Sequence, residues 1–334
     1  MIKICVIFTG GTIGSTVKDG YVNINNKCSS MLVDGYFRMV PNGCGEVEFT
    51  EVHPVNMLSE NVSTEDILKI IESVKEALDS HKYDGIVITH GTDTLSFTAN
   101  VLSQVYCKTK TPIVMVSALL PLDDPMTNGY DNFISAVDFI KSGIPGVFVA
   151  FRNRDKDCKI HDASRILAPE QINGYMHSLF SQAYGVVRDG KFLQNDDYSA
   201  TEISNEDYEK FYSKGLISNE IVVIRSRALL NYNYYRFTES NKPKAVLIEL
   251  YHSGTLCSVG DTTSALRFIE YCKSLGIIVV IGPVKHGDNV YASMKEINED
   301  CIIAYDISFE LILARVSLAL GAGAKENELR NLLR

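Results

Sequence analysis

Lys3-Ile4-Cys5-Val6-Ile7-Phe8-Thr9-Gly10-Gly11-Thr12-Ile13-Gly14 decides the fold. A β-branched apolar run that breaks into paired glycines reads as a buried parallel strand turning sharply into a loop of bare backbone. Open α/β sheets hold their ligands at such strand ends. Thr12, just past the glycine pair, has a hydroxyl with little bulk around it and is the candidate nucleophile. A tight turn carrying an incidental threonine is the competing reading. A dinucleotide fingerprint is disfavoured, because it needs glycine at position 9, where this chain has Thr9.

The pattern repeats downstream. Gly85-Ile86-Val87-Ile88-Thr89 reads as a second buried strand, His90-Gly91-Thr92-Asp93-Thr94 as its loop, and residues 95–106 as a helix. Thr and Asp at a helix start also serve as N-caps, so a purely structural role stays open for one of them. Between the two motifs, residues 15–26 read as a polar loop with Tyr21 at its middle, and residues 44–57 give an extended segment ending in Leu58-Ser59-Glu60-Asn61. Ser63 with Asp66 forms a capping-box pattern that opens a helix to about residue 79. Strands at 112–118 and 146–151 and a helix at 131–141 continue the alternation, which implies a parallel sheet with crossover helices. A polar and charged stretch at 196–217 reads as a linker between an N-terminal domain, 1–195, and a second α/β domain, 218–334. The second domain has strands at 221–224, 245–250, 277–281 and 301–305, and helices closed by Gly276 and Gly321.

At 334 residues, 46% hydrophobic and 22% charged, the chain has the composition of a globular protein of two domains. A net charge of −9 argues against a nucleic-acid partner, which needs a basic face. No apolar run approaches the roughly 18 residues of a membrane span, and the first residues lack the pattern of a secretory leader. The cysteines, at 5, 28, 44, 107, 158, 257, 272 and 301, stand singly without metal-ligand spacing, as expected of reduced thiols in a cytoplasmic protein, and no metal or cofactor is expected.

Thr-Gly-Gly-Thr-Ile-Gly at 9–14 together with Ile-Thr-His-Gly-Thr-Asp-Thr at 88–94 resembles the two signature motifs of the bacterial-type L-asparaginase family. Gly-Tyr-Val at 20–22 looks like the cytoplasmic type, and Leu-Ser-Glu-Asn at 58–61 falls where that family grips its substrate. The strand at 112–118 and Asp-Ile-Ser-Phe-Glu at 306–310 are similar to further family segments. The resemblance implies a two-domain α/β fold, a larger N-terminal Rossmann-like parallel sheet with a smaller C-terminal α/β domain, built into homodimers or homotetramers. It also implies hydrolysis of the side-chain amide of L-asparagine, or a related small amide, to aspartate and ammonia. Thr12 would be the nucleophile and Tyr21 its orienting loop residue. Thr92 and Asp93 would serve the second half of the site, with Ser59, Glu60, Gly11, Gly91, Thr92, Asp93 and Ala118 against the substrate. A threonine hydroxyl is a weak nucleophile until a neighbour takes its proton.

Three departures from the family pattern bear on activity. Ala168 falls where the family carries the lysine that activates its second threonine, and alanine cannot act as a base. Leu119-Leu120 replaces a Met-Arg pair, and Tyr251-His252-Ser253-Gly254-Thr255 stands in place of a Gly-x-Gly-Asn segment. An asparaginase-like amino-acid-binding or regulatory protein with weakened catalysis is therefore the alternative.

Overall fold

The computed structural model describes every residue except 19–20, 25–27, 44, 155–156, 199–202, 288–290, 298–300 and 334, and describes only the backbone of 17–18, 21–24, 28 and 42. The chain forms two compact units, Met1–Tyr208 and Glu209–Arg334.

The first unit is built on strands β1 (Ile2–Phe8), β4 (Val47–Val52), β5 (Gly85–Thr89), β6 (Pro112–Val116), β7 (Gly146–Phe151), β8 (Cys158–Asp162), β9 (Gly185–Arg188) and β10 (Lys191–Gln194); β2 (Ser15–Lys18) and β3 (Tyr21–Ile24) form a separate pair. Helices α1 (Cys28–Met39), α2 (Thr64–Asp79), α3 (Thr92–Val105) and α4 (Gly129–Ile140), with the single turn α5 (Asn205–Asp207), complete it. The sheet order is β10-β9-β8-β7-β6-β5-β1-β4. From β4 to β7 the pairs are all parallel, and β1 lies between β4 and β5, so chain connections leave it in opposite directions. That reversal is a topological switch point, and the crevice it opens lies at the ends of β1 and β5.

Alternation on the strands sets the layers. Ile4, Val6, Val87, Val114 and Val116 face one side and pack with Leu32 and Tyr36 of α1 and Phe133 and Phe139 of α4. The remaining residues of β5 and β6 are equally buried, as parallel strands covered on both faces must be. Helix α2 buries Ile67, Ile70, Ile71, Val74 and Ala77, and its capping box is formed: Ser63 Oγ accepts from the Asp66 N–H at 3.2 Å, and the Ser63 N–H donates to the Asp66 carboxylate at 3.0 Å. Bonding to Ser63 also holds the Asp66 carboxyl below its ordinary value of 3.8.

Four expectations from the sequence change. The all-parallel sheet continues through three antiparallel strands, β8 to β10. Residues 15–18 and 21–24, expected to lie in a loop, form an antiparallel ladder with Lys18 paired to Tyr21. Helix α3 begins at Thr92, so Thr92 and Asp93 sit in its first turn and not in a loop before it. In the second unit the last long helix does not stop at Gly321.

That unit carries the parallel strands β11 (Ile221–Arg225), β12 (Ala245–Glu249), β13 (Ile278–Val284) and β14 (Ile302–Tyr305), in that spatial order, with α6 (Ala265–Ser274), α7 (Phe309–Gly321) and α8 (Glu326–Leu332). Helix α6 ends against Gly276 at φ 70°, as expected. Helix α7 runs through Gly321, whose ideal Cβ would lie 2.4 Å from the Leu216 carbonyl oxygen, and the left-handed residue that ends it is Gly323, φ 84°. The glycine at 321 answers a close approach of backbone, not a helix end.

Candidate active site

Three loops meet at the switch point, those following β1, β4 and β5. The loop after β1 is zipped to the loop after β4: the Gly11 N–H donates to the Met57 carbonyl at 2.9 Å, and the Met57 N–H to the Thr9 carbonyl at 3.0 Å. Thr9 ties it to β5 as well, its hydroxyl donating to the Thr89 carbonyl at 2.6 Å. Gly10 has φ 100° and Gly11 φ 75°, conformations a side chain would strain.

Gly11 is where the two motifs touch. An ideal Cβ there would lie 2.3 Å from the Gly91 nitrogen and 2.7 Å from the His90 carbonyl carbon, so only a residue without one allows the two backbones to close. Gly91 is bound in turn to the third loop: its ideal Cβ would lie 2.3 Å from Ser59 Oγ and 3.1 Å from Gly11 Cα. With one step of about 3.8 Å from each glycine, the Cα atoms of Thr12 and Thr92 are at most about 12 Å apart. Both threonines are half-buried.

Ser59 is 3% exposed and begins a short 3-10 turn. Its hydroxyl donates to Asp93 Oδ2 at 3.5 Å, and its carbonyl accepts from Thr94 Oγ1 at 2.9 Å, so the first turn of α3 holds the Ser59 loop at two points. Gly91 precedes that turn as N-cap and offers no side-chain acceptor to its N–H groups. Glu60 and Asp93 are exposed at this edge. Ala118 is different: the whole residue is buried, with its side chain in the core beneath α4, so it is not open at this edge as the sequence leads one to expect. The Tyr21 side chain lies outside the described residues.

Two asparagines outside the motifs fix the ends of the neighbouring strands. Asn132 donates to the Ser117 carbonyl at 2.8 Å and accepts from the Arg152 N–H at 2.7 Å; Asn128 accepts from the Leu119 N–H at 2.8 Å and donates to the Arg152 carbonyl at 2.8 Å. Their signal in the sequence is the Asn-Gly-Tyr-Asp-Asn run at 128–132, polar yet leading into an apolar helix. His90, inside the second motif, is a further residue that sequence reasoning does not single out for the site. It is fully buried, Nδ1 lies 2.9 Å from the Gly91 carbonyl, and desolvation pushes its pKa down to about 4, so the ring is neutral.

In the segment expected to carry the family lysine, Ala168 is exposed. The buried cation is Arg165, 6% exposed, which donates to the Leu179 carbonyl at 3.4 Å and Gln182 Oε1 at 3.3 Å. Its turn, Ala163–Arg165, packs against α3. Among the described residues no group of three His, Cys, Asp or Glu could hold a metal ion, and no helix is long and apolar enough to cross a membrane.

Residues 3–171, just over half of the chain, match the family model described as Asparaginase, N-terminal. The chain belongs to the asparaginase family. Its members are amidohydrolase-type enzymes, and the two motifs that meet at Gly11 and Gly91 both lie inside the matched residues. An L-asparaginase of Thermococcus kodakarensis is 34% identical over 153 residues, 46% of this chain but only 44% of that relative. A glutamyl-tRNA(Gln) amidotransferase subunit of Methanococcus maripaludis is 25% identical over 96% of this chain and 76% of its own length. Among solved structures, the thermostable L-asparaginase from Thermococcus kodakarensis superposes with a TM-score of 0.80 at 24% identity, covering 99% of this chain and 97% of that one. A probable cytoplasmic L-asparaginase from Campylobacter jejuni gives 0.75 at 22%, covering 100% and 99%. At these identities the structural likeness concerns the asparaginase fold alone.

Proposed function

We propose that this asparaginase-family protein hydrolyses the side-chain amide of L-asparagine, or of a closely related small amide, through an acyl-threonine on Thr12. The observation that carries the reading is the junction of Gly11, Gly91 and Ser59, which brings the Thr12 turn, the first turn of α3 and the Ser59 loop to one strand edge. Thr12 Oγ1 attacks the amide carbon, its proton passing to the departing nitrogen, and ammonia leaves. Water placed by Thr92 then attacks the ester, returning Thr12 and releasing the carboxylate. The uncapped N–H groups at the glycine-bearing turns suit the oxyanion of each tetrahedral intermediate, the contribution that usually matters most. Ser59, Glu60 and Asp93 provide hydroxyl and carboxylate groups for an α-ammonium and α-carboxylate, and the Tyr21 hydroxyl is the group proposed to assist Thr12. A homodimer or homotetramer located in the cytoplasm goes with this reading.

The alignment with the amidotransferase subunit over 96% of the chain favours a second reading, in which the same chemistry supplies ammonia to a larger assembly. Ammonia release from a panel of asparagine, glutamine and simple amides tests both. Turnover of a free amino-acid amide by the purified chain supports the first, and turnover only with added partner subunits supports the second. A wild type that binds aspartate yet releases no ammonia under either condition points to a binding protein instead.

A further inference from the structure

We propose that the cavity between the last turn of α2 and the amino end of β5 binds an uncharged planar heterocycle of one ring, held by His81, Tyr83 and Thr111. The cavity lies at the end of β5 remote from the candidate active site, and the inference is independent of the amidohydrolase reading above.

The cavity measures about 180 Å³ and is lined by Ala77, Leu78, His81, Tyr83, Ile86 and Thr111. A void of roughly 150 Å³ holds one benzene ring, so a single ring is the size that fits. Ala77, Leu78 and Ile86 supply apolar surface, and Ala77 and Ile86 are themselves buried. The other three bring an imidazole, a phenol and an aliphatic hydroxyl, and among the described residues none of these side chains has a hydrogen-bond partner. The backbone beneath each is braced. Ser80 Oγ donates to the Ala77 carbonyl at 2.7 Å and accepts from the Lys82 N–H at 3.3 Å, closing the turn that carries His81. The Asp84 N–H donates to the Lys3 carbonyl at 2.7 Å and the Lys3 N–H to the Asp84 carboxylate at 2.8 Å, which fixes the segment after Tyr83. Thr109 Oγ1 accepts from the Thr111 N–H at 3.1 Å and donates to the Thr111 carbonyl at 2.9 Å.

His81 singles this cavity out. It follows the C-cap of α2 with φ 52°, a left-handed position that favours glycine. The same position after α6 and α7 carries Gly276 and Gly323. At the end of α2 the chain instead accepts the strain of a side chain, and that side chain lines the cavity with its ring unbonded. Strain of this kind persists where it serves a site. No carboxylate, lysine or arginine lines the cavity, so a charged ligand would leave water without a counter-ion. An uncharged ligand with donors and acceptors on its edge satisfies the imidazole and both hydroxyls, and the flat rings of His81 and Tyr83 suit a planar one.

Uracil is the probe, a single uncharged ring with donors and acceptors on its edge; orotate, the same ring with a carboxylate, is the charged control. In the methyl-labelled chain, uracil should shift the Ala77, Leu78 and Ile86 signals saturably with a Kd of about 1 mM or tighter, and orotate should bind at least about fivefold more weakly. Tyr83→Phe and Thr111→Val each delete a hydroxyl at nearly constant volume and should weaken uracil about three- to fivefold. His81→Gly should weaken it at least about fivefold while the urea midpoint stays level or rises, because glycine relieves the left-handed turn. Signals that do not saturate by about 10 mM uracil, orotate binding as well as uracil, or unchanged uracil binding in any of the three variants overturns the proposal. A lowered urea midpoint for His81→Gly also overturns it, since the imidazole then serves the fold and not a ligand.

Discussion

Gly91→Ala isolates the close approach on which the site depends. Gly91 has φ −82°, which any residue adopts, so alanine there meets no backbone penalty and its cost is steric. The added carbon would stand 2.3 Å from Ser59 Oγ, 2.5 Å from Ser59 Cβ and 3.1 Å from Gly11 Cα. Relieving contacts this short requires moving the Ser59 loop, which Thr94 and Asp93 hold, and overpacking of this kind costs about 1–3 kcal/mol. Urea unfolding should therefore show a destabilisation in that range, and turnover should fall by roughly a hundredfold if the loops separate by about 1 Å. Ser59→Gly removes the two nearest atoms, so Gly91→Ala should cost about 1–2 kcal/mol less in a Ser59→Gly background than alone. Gly11→Ala is the harsher comparison, because φ 75° and ψ −173° belong to a region used almost only by glycine and the obstructing atoms are backbone. A Gly91→Ala protein with wild-type stability and turnover would refute the reasoning, as would equal penalties in the two backgrounds.

Thr12→Ala should abolish ammonia release while calorimetry still detects aspartate binding; equal turnover in the two proteins would remove Thr12 from the mechanism. Thr94→Val, which deletes the 2.9 Å bond to the Ser59 carbonyl, should raise KM about five- to tenfold, in line with roughly 1 kcal/mol for one hydrogen bond, and steady-state kinetics measure it. Asn132→Leu leaves the Ser117 carbonyl and the Arg152 N–H without their partner and should cost about 2–4 kcal/mol in denaturant unfolding. His90 and His161 are both buried, with pKa values pushed down to about 4 and about 3 from 6.5. Between pH 6.5 and 4 the unfolded chain binds protons at these two positions that the folded chain refuses. Stability should fall on acidification through that window by up to about 1.4 kcal/mol per pH unit for each. A flat profile there, or one unchanged by His161→Gln, would contradict it.

Helix α2 and the strands at 3–8 and 85–89 are legible in the sequence because their determinants are local: a capping box, a 3.6-residue apolar period and unbroken β-branched runs. The start of α3 is not. Gly91-Thr92-Asp93-Thr94 are residues that favour caps and turns, and the helix begins there because Thr94 is bonded to Ser59, 35 positions away. One hairpin carries its usual dipeptide yet escapes a reading by hydrophobic pattern: Asp189-Gly190, with φ 50° and 72°, joins β9 to β10. Of the candidate site, Gly11, Ser59, Gly91, Thr92 and Asp93 come from the two motifs and the segment between them. His90 and Asn128 resist because a buried imidazole and a polar loop look the same in sequence whether they support a neighbouring peptide or merely fill space. Ala118 lies two residues past the end of β6 and continues its alternation, so that with Val114 and Val116 it faces the core under α4.

The paired amides of Asn128 and Asn132 have an architectural consequence. Leu119 and Arg152 are anchored by side chains that follow the excursion 120–127, and Thr127 Oγ1 closes its mouth on the Leu120 carbonyl at 2.7 Å. The excursion thus hangs from a sealed neck, with Met126 at its tip 78% exposed. Lengthening it between Asp123 and Met126, away from the buried Leu122 and from Thr127, leaves those anchors untouched, and ring closure over a few added residues costs well under about 1 kcal/mol. This makes it a cassette through which new surface can be grafted beside an unaltered hydrolytic frame.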